Sequence, residues 1–409
     1  MAQLDVASFL PALKLLYPKG LAEILYPKCP LMGWMPKSTD FYGEAAVITP
    51  MFGGTRGSTT FTNAINDQGV VSLSRFLVTR VKDYAPASIE AEALMASAND
   101  KGAIAKALDT QIKGALYEFG RSAAFQIYSN GIGDRGTIPV GGGSATPTIT
   151  LSNVEDIVHF EVGMNVQTAA LPATPAPAVN PNVPIIAINR RLGTITLAGT
   201  WNALLGTVDG DSIWRSGDGD GGTGGNCATG LNGWVPTNDP GVGGVPPNLF
   251  GLNRTVDPLR LAGVRIAGGG GVMEETVFDA VAEAHINGAQ PDTLFINSRR
   301  FAELQKSMYS KTWVTVNTDI PGIGYKALQF PTDYGEIAVI SDPNCPTAQG
   351  YLLQRDSWKL HSLGEFPHFA TDDGLKYRRL ANADAIEFRI RGFWNVECDK
   401  PGMNAVITW

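Results

Sequence analysis

The sequence predicts an α+β chain built from several cooperating units, and three observations carry that expectation. Residues 46–85 are polar and rich in β-branched side chains, 99–130 have helical periodicity, and 145–235 alternate short strands with turns. The 409 residues are 44% hydrophobic and 17% charged, ample for a core and for roughly two or three domain-sized units. Forty-seven glycines and 26 prolines point to a loop-rich, partly β protein. Eight Trp, 11 Tyr and 17 Phe exclude the disordered class.

Residues 1–45 read as an N-terminal arm. Val6–Tyr17 can form one short amphipathic helix; Pro18, Pro27, Pro30 and Pro36 then interrupt regular structure, because proline lacks the N–H and fixes φ. Large apolar side chains continue nevertheless, Trp34 among them. Such a segment must lie either on its own domain or on a neighbouring subunit. Over 46–85 the sequence predicts a ribbon with strands at Ser58–Ala64 and Val70–Arg80 and a turn at Asn66–Gly69. A lone hairpin is marginal in water, so something outside must support it.

The clearest element is a helix over 99–130. Asn99 or Asp100 can cap it and Asn130–Gly131 can end it in a left-handed stop. Ile104, Leu108, Ile112, Leu116, Phe119, Ala123 and Ile127 fall on one stripe, and the helix would be about 45 Å long. In the insert, strands are expected at 148–151, 184–189, 193–197 and 211–214, as in a small barrel or sandwich. A Gly/Pro-rich connection follows over 216–248. Then come a helix at 274–287, a buried strand at Pro291–Asn297 and a helix from Ser298 through Met308. Further strands are expected at 337–341, 350–355, 385–394 and 405–408.

Chemistry-bearing motifs are sparse. His159, His285, His361 and His368 have no metal-ligand spacing; a zinc pair of His361 and His368 is outweighed by the ordinary reading. Gly268–Gly271 lacks the lysine of a phosphate loop and reads as a bend. Asp209, Asp211, Asp218 and Asp220 could offer oxygens to calcium, but a solvated turn is the preferred reading. No catalytic residue, cofactor or metal is therefore expected. Net charge is −7 with pI about 5.2, and no basic run exceeds an arginine pair. Tight or sequence-specific nucleic-acid binding is thereby opposed, while a wall that merely encloses DNA is compatible. Cys29, Cys227, Cys345 and Cys398 read as free thiols. No stretch approaches the roughly 20 apolar residues of a membrane span, and the start lacks a basic leader, so a soluble protein is expected.

The order of elements is itself informative: arm, ribbon, long helix, β-rich part, mixed α/β part, returning strands. That order resembles tailed-bacteriophage major capsid proteins of the Hong Kong 97 type. So do Phe76–Tyr84 leading into the helix, Ile127–Gly133 leaving it, Asp257–Arg265, Pro291–Asn297 and Cys398–Asn404. The resemblance implies an arm at 1–45, an extended loop at 46–85, and a peripheral domain with its spine helix at 86–144. It further implies a β-rich insertion domain at 145–235, peripheral domain again at 236–289, an axial domain at 290–365 and return strands at 366–409. It implies a non-enzymatic shell protein, assembled in the host cytoplasm into hexamers and pentamers of itself. Partners would be a separate scaffolding protein and a portal, with a decoration protein left open. No lysine lies between Lys37 and Lys82, so the covalent loop cross-link of some members is not expected, and the short arm implies no large processing step. Trp34, Phe61 and Phe76 are the expected apolar anchors between subunits, and Arg56 and Arg75 the expected ion-pair partners. Two alternatives stand beside this reading. One is an encapsulin-like compartment shell. The other, an extracellular β-rich binding protein or polysaccharide hydrolase, is opposed by the missing leader and the long helix.

Overall fold

The computed structural model describes residues 29–53, 59–69, 72–91, 101–170, 183–220, 225–310, 317–319, 326–332, 335–371 and 374–409. The Val6–Tyr17 segment, Arg56 and the Asn99/Asp100 cap lie outside them.

The spine helix spans Lys101–Gln126, 26 residues and hence about 39 Å. Its stripe is buried at Ile112, Leu116, Phe119, Ala123 and, just beyond the last turn, Ile127. It ends before the expected Asn130–Gly131 stop because another segment crosses its end. Leu231 N–H donates to the Ile127 carbonyl at 2.8 Å, and Gln126 Oε1 accepts from Ala228 N–H at 2.9 Å. Position 230 must be glycine there, since a Cβ would sit 2.1 Å from the Ile127 oxygen.

The helix lies on a six-stranded sheet whose longest strand is Ala385–Cys398. Val81–Glu90 pairs antiparallel with it over ten residues. Trp358–Ser362 pairs with its far end, and Lys37–Ser38 adds in parallel to that strand. Helix, sheet and the 29–41 segment share one core, with Trp34, Phe41, Phe119, Trp358 and Trp394 fully or almost fully buried.

A second core belongs to a seven-stranded sheet. Its order is Val264–Ala267, Ala405–Thr408, Gln349–Leu353, Thr293–Ile296, Gly335–Ser341, Lys326–Thr332, Asn317–Asp319. Helix Met273–Ile286 packs on it through Val277, Ala280, Val281 and Ala284. These units cut across the expected boundaries. Strands 264–267 and 405–408 and helix 273–286 join this sheet, whereas 358–362 joins the spine-helix sheet. The reason is pairing across the sequence: Ala405–Thr408 lies between two strands, parallel to one and antiparallel to the other. Its unbroken apolar run, Ala405–Ile407, is buried as an inner strand requires.

The insert has a third core, between the three-stranded sheet Ile185–Asn189, Thr194–Leu197, Thr148–Thr150 and the three-stranded sheet Asp134–Thr137, Ser212–Arg215, Val166–Ala169. Phe160, Ile195, Trp201 and Ile213 fill it. It begins at Asp134 rather than at 145. Residues 228, 231, 234 and 235, expected inside it, pack instead in the spine-helix core.

The ribbon pairs Ala45–Ile48 with Phe76–Thr79 and Met51–Gly53 with Ser72–Leu73. Phe61–Ala64, expected as strand, lies in a short helix, Phe61–Asn66. Phe61 and Ile65 stand four residues apart and so share one helical face, a period that the β-branched composition obscured. Among the described residues the one non-glycine position with positive φ is Phe250; a bulky residue there costs about 1–3 kcal/mol.

Candidate assembly surfaces

The expected subunit anchors separate into two groups. Trp34 and Phe76 are 2% and 0% exposed and belong to the chain's own core, which corrects the expectation for both. Trp34 donates from Nε1 to Thr293 Oγ1 at 3.1 Å and meets Phe295 edge-on at 5.3 Å. Phe76 meets Trp234 edge-on at 5.0 Å. A side chain enclosed on every side by its own chain has no face left for a neighbour. Phe61, by contrast, is 83% exposed, and Arg75 is also exposed. Arg56 lies outside the described residues.

Phe61 has company that sequence reasoning missed. Ile65 on the same helical face is 54% exposed, and Val47, Leu73 and Leu77 are exposed along the ribbon. At the ribbon's root Ile48, Phe76 and Val78 face inward while Val47 and Leu77, which are register partners, face outward. An antiparallel ribbon with one solvated face should be polar on that face. Here the outward face carries Val47, Leu73 and Leu77 beside Arg75 and Thr79. The signal in the sequence was the unbroken run Phe76–Leu77–Val78, the pattern of a strand covered on both sides.

The insert is fixed to the spine helix by a buried polar centre. Arg135 donates from Nη2 to Asp218 Oδ2 at 2.9 Å, with side-chain exposures of only 2% and 9%. Arg215 donates to the other oxygen, Asp218 Oδ1, from Nη2 at 2.9 Å. The Arg135 guanidinium also lies 4.5 Å from the ring centre of Phe125 on the spine helix. Gln126 Nε2 donates to Asp83 Oδ2 at 3.0 Å, and burial pushes that carboxyl up. Glu161 of the insert pairs with Arg121 of the helix and, at 2.8 Å, with Arg190. Glu155 pairs with Arg299 at the start of helix Ser298–Ser310. The insert therefore touches both larger units.

Two titrating groups sit at this junction. Burial pushes Asp156 up to about 7, assisted by Asp134 and Glu155 and opposed by the hydrogen bond from Asn153. Burial pushes His159 down to about 3, assisted by Arg135 and Arg121; its ring meets Phe125 at 4.9 Å. A carboxyl raised by folding holds its proton more tightly folded, so its contribution is lost as pH rises from about 4 to 7. A histidine lowered by folding loses stability in the opposite direction, as pH falls from about 6.5 toward 3. Over the shared window the two slopes cancel. Asp156→Asn removes one of them, so from pH 7 to pH 4 its melting temperature should decline relative to the parent's. A variant profile that runs parallel to the parent's would contradict the raised Asp156.

Other positions singled out in the sequence have ordinary partners. His361 Nδ1 is 2.6 Å from Glu397 and its ring stacks on Phe41. His368 donates from Nδ1 to the Glu365 carbonyl and accepts from Arg391 Nε. The four aspartates at 209–220 do not converge: Asp209 accepts from Ser144 N–H, Asp211 from Val208 N–H, Asp218 from the arginines and Asp220 from Gln167. Asp211 and Asp218 are buried rather than solvated. The Gly268–Gly271 bend closes on itself and on Thr408. Among the described residues no group of three or more His, Cys, Asp or Glu could hold a metal ion, and no helix is long and apolar enough to cross a membrane.

Residues 212–408 match the family model described as SU10 major capsid protein. Comparison with curated proteins gave no match. Among solved structures, the cyanophage A-1(L) capsid asymmetric unit aligns over 93% of this chain and 92% of its own, at 13% identity and a TM-score of 0.51. A structure from Mycobacterium phage Ogopogo aligns over the same shares at 10% identity and TM-score 0.44. The holo-SrpI encapsulin complex from Synechococcus elongatus aligns over 100% and 96% at 8% identity and TM-score 0.42. Only the first of these likenesses is close enough to speak for the fold. The C-terminal part thus matches the model of a major capsid protein family, and the chain over its length has the Hong Kong 97-type fold.

Proposed function

We propose that this chain is the repeating wall unit of an icosahedral shell that encloses double-stranded DNA, built from hexamers and pentamers of itself. The observation that carries the assembly mode is the set of exposed apolar side chains on the ribbon, Val47, Leu73 and Leu77, and on the helix between its strands, Phe61 and Ile65. A two-stranded ribbon cannot stabilise itself in water, and these side chains gain only if another surface covers them. In a closed shell every copy can supply that surface to the next. The net charge of −7 suits a wall that encloses DNA without gripping its phosphates. In this reading the seven-stranded sheet forms the axial part of the capsomer and the spine-helix sheet the peripheral part. Phe61 and Arg75 contact the neighbour. Assembly takes place in the host cytoplasm with a separate scaffolding protein and a portal, and the surface leaves room for a decoration protein. The chain performs no chemistry of its own.

Phe61→Asp with Ile65→Asp tests the proposal. Both side chains are exposed in the single chain, so the monomer's melting temperature should hold. Covering a phenylalanine contributes about 1.5–3 kcal/mol, so each contact should weaken by roughly 10- to 100-fold, and particles should vanish from electron micrographs at concentrations where the parent assembles. Normal particles from the double variant would remove the tip from the interface. Particles loaded with protein cargo and no DNA would instead support the compartment-shell alternative.

A further inference from the structure

The hairpin that follows the crossing segment pairs Asn248 with Asn253 and Leu249 with Leu252, which leaves a two-residue loop, Phe250–Gly251. Both residues have positive φ, 47° and 83°, the hand that such a loop needs. Asn–Gly or Gly–Gly would meet that need freely; a phenylalanine does not. Its surroundings show what holds it. The ring lies 5.5 Å from Trp234. The Phe250 carbonyl accepts from Leu77 N–H at 3.0 Å. Trp234 itself is locked, donating from Nε1 to the Val396 carbonyl at 3.0 Å and meeting Phe76 at 5.0 Å. The base of the hairpin is held as firmly. Arg254, 1% exposed, donates from Nη1 to the Gly233 carbonyl at 2.8 Å, and its N–H donates to Pro247 at 2.8 Å.

Phe76 and Leu77 are the root of the ribbon. The strained turn therefore stands beside the ribbon's root strand, where another strand would otherwise pair. We infer that Phe250 is a positioning residue: the turn it occupies seats the ribbon root and fixes the direction in which the ribbon leaves the chain. The inference rests on the shell reading, because that direction matters only where the ribbon must reach a neighbouring copy. A change of direction too small to unfold one chain is repeated at every subunit and so alters the curvature of the whole wall.

The test uses the full-length chain, expressed until it assembles, with particles sized by electron microscopy and amide exchange followed at Leu77. Phe250→Gly suits the turn but has no ring. It should fold with a melting temperature close to the parent's, exchange the Leu77 amide about tenfold faster or more, and give particles of mixed diameter. Phe250→Tyr keeps the ring and should restore uniform particles. Parent-like diameters and yield from Phe250→Gly would overturn the inference. Should that variant fail to fold, Leu77→Pro removes the same hydrogen bond from the ribbon side; uniform particles from it overturn the inference and mixed ones support it. A parent chain that stays monomeric at every concentration and salt, with or without its scaffolding protein, overturns the shell reading itself, which separates the two failures.

Discussion

Asp218→Ala should cost about 3–5 kcal/mol, the range for removing one partner of a buried ion pair. The carboxylate receives Arg135 on one oxygen and Arg215 on the other, and Arg135 is almost wholly enclosed. Without Asp218 a guanidinium is left buried against Phe125 with His159's carbonyl as its remaining acceptor, at 3.4 Å. Burial already lowers the Arg135 pKa against the pull of Asp218, so losing the carboxylate removes the main influence that keeps it charged. The loss should concentrate where the insert meets the spine helix, and strands 134–137 and 212–215 should exchange their amides first. Asp218→Asn keeps the shape and some hydrogen bonding and should lose less. A urea midpoint unchanged by Asp218→Ala would mean that the pair contributes nothing to holding the insert.

Trp34→Ala should cost about 3–5 kcal/mol as well, here through lost transfer energy and the cavity left behind. Trp34 ties the 29–41 segment to the seven-stranded sheet through Thr293 and Phe295, and its carbonyl accepts from Arg355 Nε at 3.0 Å. The variant should unfold at lower urea as a single chain, before any assembly. Trp34→Phe keeps a ring, loses the bond to Thr293 and should cost roughly 1–2 kcal/mol. An anchor between subunits would behave the other way, with an unchanged monomer and no shell, so the two readings of Trp34 separate in one unfolding experiment.

The same residue shows where the sequence stops being legible. Trp34 announces that its segment must be covered, because that much apolar surface cannot face water. It does not say which surface covers it, since the covering strand is more than 250 residues away. The spine helix was legible because its stripe repeats locally, and its end was misplaced because the obstacle comes from residues 228–231. Asp218 reads as a turn residue among glycines and aspartates; its arginine partner at 135 lies 83 residues away in sequence. Ser58–Ala64 reads as strand from its composition, although the four-residue spacing of Phe61 and Ile65 records a helix. Arg254 carries no local sign that it will be buried among carbonyls. Periodic features within one element are thus readable, and contacts between distant elements are not.

The pairing of Trp214 with Asp134 has a consequence for how such chains diversify. The insert leaves the host beside the point where it departed from it, so its two ends meet as neighbouring strands of one sheet. A module with adjoining ends can be gained, exchanged or deleted without moving the scaffold on either side. What such an exchange must rebuild is small: a carboxylate for Arg135, a cover for Phe125, and the indole that donates to the Ile132 carbonyl at 3.2 Å. A different module with the same spacing of its ends should therefore fit at this position without disturbing the two larger units.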